Sequence, residues 1–200
     1  MRYLVLLFTL ASCMITRGMS PDSSPSSSNE KTATAVFGGG CFWCLDAVYQ
    51  YVPGIIKITS GFAGGALPNP SYDQVCTGRT GHAEVIQITY DPAKVSYDQL
   101  LDLFWKAHDP TTLNRQGADH GTQYRSIILT SSPEQVAEAE ASKKKAQAQF
   151  TNPIVTEIKP LTAFYPAEQY HQDYYQNNKD RNPYCQVVIA PKLKKLGLPQ

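Results

Sequence analysis

The chain has 200 residues, 42% of them hydrophobic, which is enough for one domain whose core needs no disulfide or metal staple. Eighteen Lys and Arg stand against 17 Asp and Glu, for a net charge of +1. The basic residues are scattered rather than gathered into a stripe, which argues against a phosphate-backbone surface and so against nucleic acid as a partner.

The N-terminus, MRYLVLLFTLASC, has the plan of an export signal: Arg2, an apolar stretch, then small residues. It is too short to span a bilayer comfortably as a mature helix. Leu10-Ala11-Ser12-Cys13 also has the form of a bacterial lipobox, in which a lipidated Cys13 would become the first mature residue and hold the protein at a membrane surface. Ordinary cleavage with loss of Cys13 is the competing reading. Met14, rather than Asp, after the lipid site leans towards the outer membrane. The Ser- and Pro-rich stretch from Met19 to Asn29 reads as a flexible tether. The expected organisation is therefore an export signal over 1–13, a tether over 14–31 and one folded domain over 32–200, periplasmic, membrane-tethered and monomeric.

Within the domain, Thr34 to Phe37 is short and β-prone, three glycines follow, and Cys41 to Tyr51 carries apolar residues at helical spacing until Pro53-Gly54. Ile55 to Thr59 is β-rich, Ala63 to Arg79 reads as a long loop, and EVIQITY alternates as a half-buried strand ending at Tyr90. Ser96 and Gln99 have capping-box spacing and open a helix that ends at Asp109-Pro110. A polar loop over Thr111 to Gln123 precedes a strand at Tyr124 to Thr130. A capped helix runs from Ser132 to about Phe150, with a further strand at Ile154 to Ile158. Two β-α-β units joined this way predict an α+β sandwich of the split β-α-β, ferredoxin-like kind, with a mostly antiparallel mixed sheet and helices on one face. From Ala167 a short aromatic helix is expected, then a long irregular C-terminal tail.

Without Cys13, four cysteines remain: Cys41, Cys44, Cys76 and Cys185. Fixed bridges are one reading, but a domain this size does not need them, so redox chemistry competes. Cys41 follows three glycines at a helix start, where unpaired N–H groups and the positive end of the dipole favour a thiolate. The glycines would let a bulky substrate approach the sulfur. A buried structural cysteine at a tight turn is the alternative. Cys41-Phe42-Trp43-Cys44 has the C-x-x-C spacing of thioredoxin-like centres and of half a zinc site. No further ligand pair stands at zinc spacing, so no metal is expected, and the aromatics lie between the cysteines rather than before them. Phe42 and Trp43 offer an apolar wall beside the sulfur. Glu84, at the entry to a strand after a glycine-rich loop, could be raised by partial burial into a proton donor. NRQGADHGTQYR concentrates polar groups and two glycines as active-site loops do.

Together, Gly40-Cys41-Phe42-Trp43, Tyr72 in NPSYDQVCTGRTGHAE, Glu84, FWKAHDPTTLNRQGADHGTQYRS and AEQYHQDYY resemble the A-type peptide methionine sulfoxide reductases from about Val36 to Asn178. The resemblance implies reduction of the S epimer of free or protein-bound methionine sulfoxide. Cys41 would attack the sulfoxide sulfur while Glu84 protonates the oxygen with help from Tyr72 and Tyr124. Phe42 and Trp43 would hold the methyl group. Asp119 would bind the substrate backbone or support the pocket, and His171 would stand nearby. The resulting Cys41 sulfenic acid needs a resolving thiol. The resemblance points to Cys185 first, carried by a mobile tail, with Cys44 idle or passing the disulfide onward and Cys76 structural or inert. No metal or organic cofactor is implied, only electrons from a thioredoxin-like dithiol. The competing activity is thiol-disulfide exchange through Cys41 and Cys44, and a lipid-tethered binding module with fixed bridges is the non-enzymatic reading.

Overall fold

A computed structural model describes Met1 and residues 31–200. The export segment with Cys13, and all of the 14–31 tether except Lys31, lie outside the described residues.

β1 (Ala33–Gly38) leads through the glycine turn into α1 (Phe42–Tyr49), which hands over to β2 (Ile55–Ala63). α2 (Tyr72–Cys76) follows, and then β3 (Ala83–Tyr90) returns antiparallel along β2, from Ile55 opposite Tyr90 to Ala63 opposite Ala83. β3 also pairs antiparallel with β1, so it separates the two strands that α1 connects. That is the split β-α-β arrangement. α3 (Tyr97–Ala107) crosses to a small hairpin, β4 (Arg115–Gln116) and β5 (Asp119–His120), and then to β6 (Ile127–Thr130) on the other edge of β1. α4 (Pro133–Ala146) connects β6 to the parallel β7 (Glu157–Pro160), and β8 (Phe164–Pro166) closes the far edge on β2. The sheet order is β7-β6-β1-β3-β2-β8.

The period-2 alternation of β3 decides which groups meet. Ile86 and Ile88 face the large cluster that includes Phe37, Ile128, Phe42, Leu45, Leu100 and Phe104, whereas Ala83 and Val85 face a smaller cluster with Val36, Ile127 and Leu129. Each fully buried side chain of this size contributes about 1.5–3 kcal/mol relative to exposure. Glu84 shares the parity of Ile86 and Ile88. It is therefore carried beneath α1, at the end of the core, by the same alternation that packs those two isoleucines.

Several elements differ from the sequence expectation, among them β4, β5 and β8, which it does not include, and β7, which starts at Glu157 rather than Ile154. The 63–79 loop contains α2, with a complete capping box in which Ser71 and Gln74 bond each other's backbone N–H. Its five residues are too few to show periodicity. The strand expected from Tyr124 begins only at Ile127, because a 3-10 turn occupies Thr122–Tyr124. The C-terminal segment expected to be irregular forms α5 (Tyr174–Asn178), then a π-type turn at Cys185–Ile189, then α6 (Ala190–Lys195). Cys185, Ile189 and Leu193 are fully buried at i, i+4, i+8 spacing, a helical stripe that Pro191 obscures. At the start of α6 a proline's missing N–H costs no hydrogen bond.

Candidate active site

The floor of the site is the glycine turn. A Cβ on Gly39 would lie 2.9 Å from Cγ of His108, and Gly40 has φ +93 with the Gln116 side chain 2.6 Å from where its Cβ would stand. The glycines thus admit the protein's own groups. This replaces the expectation that they clear space for a substrate. His108 is buried with Nδ1 2.7 Å from the Phe104 carbonyl and Nε2 2.7 Å from Ser126 Oγ. A carbonyl can only accept, so Nδ1 carries the proton and Nε2 accepts from the serine. Burial pushes the His108 imidazole down to about 3, which keeps the ring neutral.

Cys41 is the N-cap of α1, with φ −58 and ψ 127, and no side-chain cap bond. Glu84 is 1% exposed, and its Oε2 accepts the first helical N–H, from Phe42, at 3.0 Å. Burial pushes the Glu84 carboxyl up to about 8, against the opposing pull of the Phe42 N–H and of a hydrogen bond with Cys41. The acid therefore holds its proton at neutral pH. The Cys41 thiol is pushed well above its ordinary value, first by burial, then by its hydrogen bond to Cys44 and the charge of Glu84. The expectation of a thiolate stabilised by the helix start is not met in this state. The carboxyl has taken the Phe42 N–H, leaving the Trp43 N–H for the sulfur.

One wall is aromatic. The Phe42 ring lies 5.1 Å from His171, 6.2 Å from Trp43 and 6.4 Å from Tyr72. Trp43 Nε1 donates to His171 Nδ1 at 3.1 Å, Tyr174 stacks on the indole at 3.6 Å, and Tyr184 meets it edge-on at 5.9 Å. The Tyr72 backbone N–H donates to Glu168 Oε1 at 3.0 Å, which ties α2 to the segment carrying His171. Burial and then the charge of Glu84 raise both the Tyr72 and Tyr124 hydroxyls, so both half-buried phenols stand around the acid. The buried Arg125 donates to the carbonyls of Thr122 at 2.9 Å and Gly81 at 3.0 Å. It clamps the turn bearing Tyr124 to the segment leading into Glu84.

The other wall holds the sulfur chemistry. Cys44 Sγ is 3.8 Å from the Tyr184 hydroxyl, which donates to Asp119 Oδ2 at 2.7 Å. The Cys44 thiol is pulled down to about 7 by its hydrogen bond with Cys41, with Lys192 and Tyr184 helping against burial. Within the hydrogen-bonded Cys41–Cys44 pair the Cys41 thiol is pushed up and the Cys44 thiol pulled down, and Lys192 lines the pocket on the Cys44 side. A pocket of about 110 Å³ opens here, lined by Cys41, Cys44, Gln116, Asp119, Tyr184 and Lys192, among others. Cys185 does not line it. Cys185 is fully buried, its thiol raised by burial and then by the charge of Cys44, so it sits behind Cys44 in an ordered turn rather than on a mobile tail. Cys76 is exposed at the end of α2 rather than packed as a structural residue. All four thiols are unpaired in this structure, and among the described residues no three His, Cys, Asp or Glu side chains converge to hold a metal.

Of the residues singled out in the sequence, Cys41, Cys44, Phe42, Trp43, Tyr72, Glu84, Tyr124 and His171 converge, Asp119 joins them through Tyr184, and Cys185 lies behind Cys44, outside the pocket. Tyr174, Tyr184, Glu168 and Lys192 were not legible as site residues. Each is brought in by the folding of the C-terminal segment. A buried protonated carboxyl beside a thiol, two phenols and an apolar wall can deliver a proton to an oxygen while sulfur attacks its neighbour.

A family model described as peptide methionine sulfoxide reductase matches residues 33–198. A relative from Nautilia profundicola, peptide methionine sulfoxide reductase MsrA, is 58% identical over 161 residues, covering 80% of this chain and 92% of its own. The crystal structure of Mxr1 from Saccharomyces cerevisiae in reduced form is similar with a TM-score of 0.73 and 37% identity, over 78% of this chain and 90% of that one. Mxr1 in complex with Trx2 matches with a TM-score of 0.54 and 28% identity, over 73% and 86%. The sulfur–carboxyl pair thus sits in a fold and a sequence shared with these reductases, and the chain belongs to the A-type peptide methionine sulfoxide reductase family, as a peptide-methionine (S)-S-oxide reductase.

Proposed function

We propose that Cys41 attacks the sulfoxide sulfur while Glu84 gives its proton to the oxygen, with Tyr72 and Tyr124 donating hydrogen bonds to it and Phe42 and Trp43 holding the methyl group. The substrate S–O bond breaks, the thioether leaves reduced, and the oxygen is transferred to the Cys41 sulfur, which is oxidised to a sulfenic acid. One observation carries this reading: a carboxyl 1% exposed and raised to about 8 is hydrogen-bonded to the same helix turn as the thiol. A neutral acid can donate, and it does not repel charge developing on the sulfur. Asp119 supports the pocket by accepting from Tyr184, and His171 holds the Trp43 indole.

Cys44 resolves the sulfenic acid first, in place of the Cys185 that the family resemblance suggests. The hydrogen-bonded Cys41–Cys44 pair and the full burial of Cys185 support this order. Cys185 then attacks Cys44, freeing Cys41 as a thiol and moving the disulfide to Cys44–Cys185. A thioredoxin-like dithiol reduces it, a partner supported by the complex of Mxr1 with Trx2. Exchange chemistry through Cys41 and Cys44 alone would leave the buried acid and the aromatic wall without a task. The test is one equivalent of an S-sulfoxide peptide without reductant, an acid quench, and disulfide mapping by peptide mass. Cys41–Cys44 linkage is expected in the earliest samples, and Cys41–Cys185 linkage with Cys44 free overturns the order.

The lipoprotein form rests on Leu10-Ala11-Ser12-Cys13 and the Ser/Pro-rich stretch behind it. In that form the enzyme acts from a membrane in the periplasm. The mass of the mature N-terminus decides it: a diacylated Cys13 is expected, and a chain starting beyond Cys13 refutes the tether.

A further inference from the structure

α6 brings to the sulfur pair a cation that methionine formation does not use. Lys192 is half-buried, its Nζ donates to the Ala107 carbonyl at the end of α3 at 2.6 Å, and its side chain lines the same small pocket as Cys41 and Cys44. The carbonyl anchor holds a long, flexible side chain along the pocket wall, where its charge is screened less than it would be out in solvent.

We propose that Lys192 is a positioning residue for the second half-reaction: its ammonium, held by Ala107, keeps negative charge on the Cys44 sulfur when Cys41 is a sulfenic acid. The inference rests on Cys44 being the first resolver. Cys44 faces Cys41 beside it, Tyr184 and Cys185 from the C-terminal turn, Asp119 from β5, Glu84 from β3 and Lys192 from α6. Lys192 is the cation of that set. In the reduced enzyme the largest influence favouring charge on Cys44 is the Cys41 thiol's hydrogen bond. Oxidation of Cys41 removes that thiol, and Lys192 with Tyr184 is then what remains to favour the charged form.

In the step itself the Cys44 thiolate attacks the Cys41 sulfur, the S–S bond forms and the S–O bond breaks. The Cys41 sulfur is reduced, the Cys44 sulfur is oxidised, and the oxygen leaves as water, taking up a proton equivalent to the one that Cys44 gave to solvent on ionising. A higher thiol pKa at Cys44 costs about tenfold in thiolate per unit at pH values below it.

The experiment is a single turnover of the full chain with an S-sulfoxide peptide and no reductant, run from pH 5.5 to 9. It follows methionine formed and, separately, sulfenic acid captured by a cyclic 1,3-diketone. Lys192→Met should give methionine at the native rate while the sulfenic acid decays about tenfold more slowly at pH 6, with the pH midpoint of its decay about one unit higher. Lys192→Arg should restore both. If Lys192→Met forms less methionine, Lys192→Gln, which can keep a donor to Ala107, carries the test with the same upward midpoint. An unchanged midpoint and decay rate in the variant that retains the methionine burst overturns the role of Lys192. Native-rate decay in Cys44→Ser overturns instead the choice of resolver, whatever the lysine variants do.

Discussion

The two walls of the site are built in opposite ways. The wall of Glu84, Phe42 and Tyr124 hangs on the central strands β1, β3 and β6 and the first turn of α1, so its groups are set by strand alternation and one helix start. The wall of Cys44, Tyr184, Asp119 and Lys192 is closed by a turn and a six-residue helix at the end of the chain. The first holds a neutral acid beside a protonated thiol, and the second gathers charge: a thiol pulled down to about 7 beside an ammonium and a carboxylate. A rigid, neutral side suits delivery of a proton. A charged side packed less centrally suits thiol exchange, which must later open to a reductant.

The largest effect should erase both sides. Cys41→Ser is expected to abolish methionine formation from the S epimer in the presence of excess dithiol, and any catalytic turnover would sink the shared-nucleophile reading. Next, Glu84→Gln isolates the neutral side. Methionine formation should fall by about 10²–10⁴-fold, and the native alkaline decline near pH 8, where Glu84 loses its proton, should disappear from the profile. The same variant has a stability signature. Between the unfolded carboxyl's value near 4 and about 8, the folded state binds a proton that the unfolded state lacks, so native stability falls as pH rises through that window. Glu84→Gln, with no proton to lose, should be more stable than the native chain above pH 8 by about 2–4 kcal/mol in urea titrations.

Gly39 sits beneath both walls. Gly39→Ala should cost about 1–3 kcal/mol of stability, because its Cβ meets the hydrogen-bonded His108 ring at 2.9 Å and overpacks a rigid site. A thermal midpoint equal to the native one would show that the turn yields. The smallest effect belongs to the charged side. Tyr184→Phe removes one hydrogen bond to Asp119, worth about 1 kcal/mol. It should slow disulfide formation by about fivefold while leaving the first methionine intact, and an equal loss in both steps would merge the two walls into one.

Much of the first wall was legible. Glu84 shares parity with Ile86 and Ile88, so alternation alone places it on the core face, and the capping box at Ser96 and the N-cap at Ser132 mark helices where they occur. The sequence could not show that the carboxyl would take the Phe42 N–H and so deny it to Cys41, since Glu84 is 42 residues from that helix start and reaches it only through the pairing of the strands. Nor did it show why the glycines are needed, because His108 and Gln116 come from segments about 70 residues away. The capped α2 escaped notice among glycines and prolines, and the segment around Pro191, expected as irregular tail, forms a helix that the proline opens.

By itself the sequence carried the split β-α-β class and the main strands and helices from β1 to β7, since these depend on local periodicity and caps that need no knowledge of neighbours, and its motifs pointed to Cys41 and Glu84 as the pair to test. Only the tertiary structure decided which thiol faces Cys41, which side chain claims each hydrogen bond, and that a C-terminal lysine stands beside Cys44. Those outcomes depend on desolvation and on distances between segments far apart in the chain, and a thiol or carboxyl takes its protonation state from that surrounding.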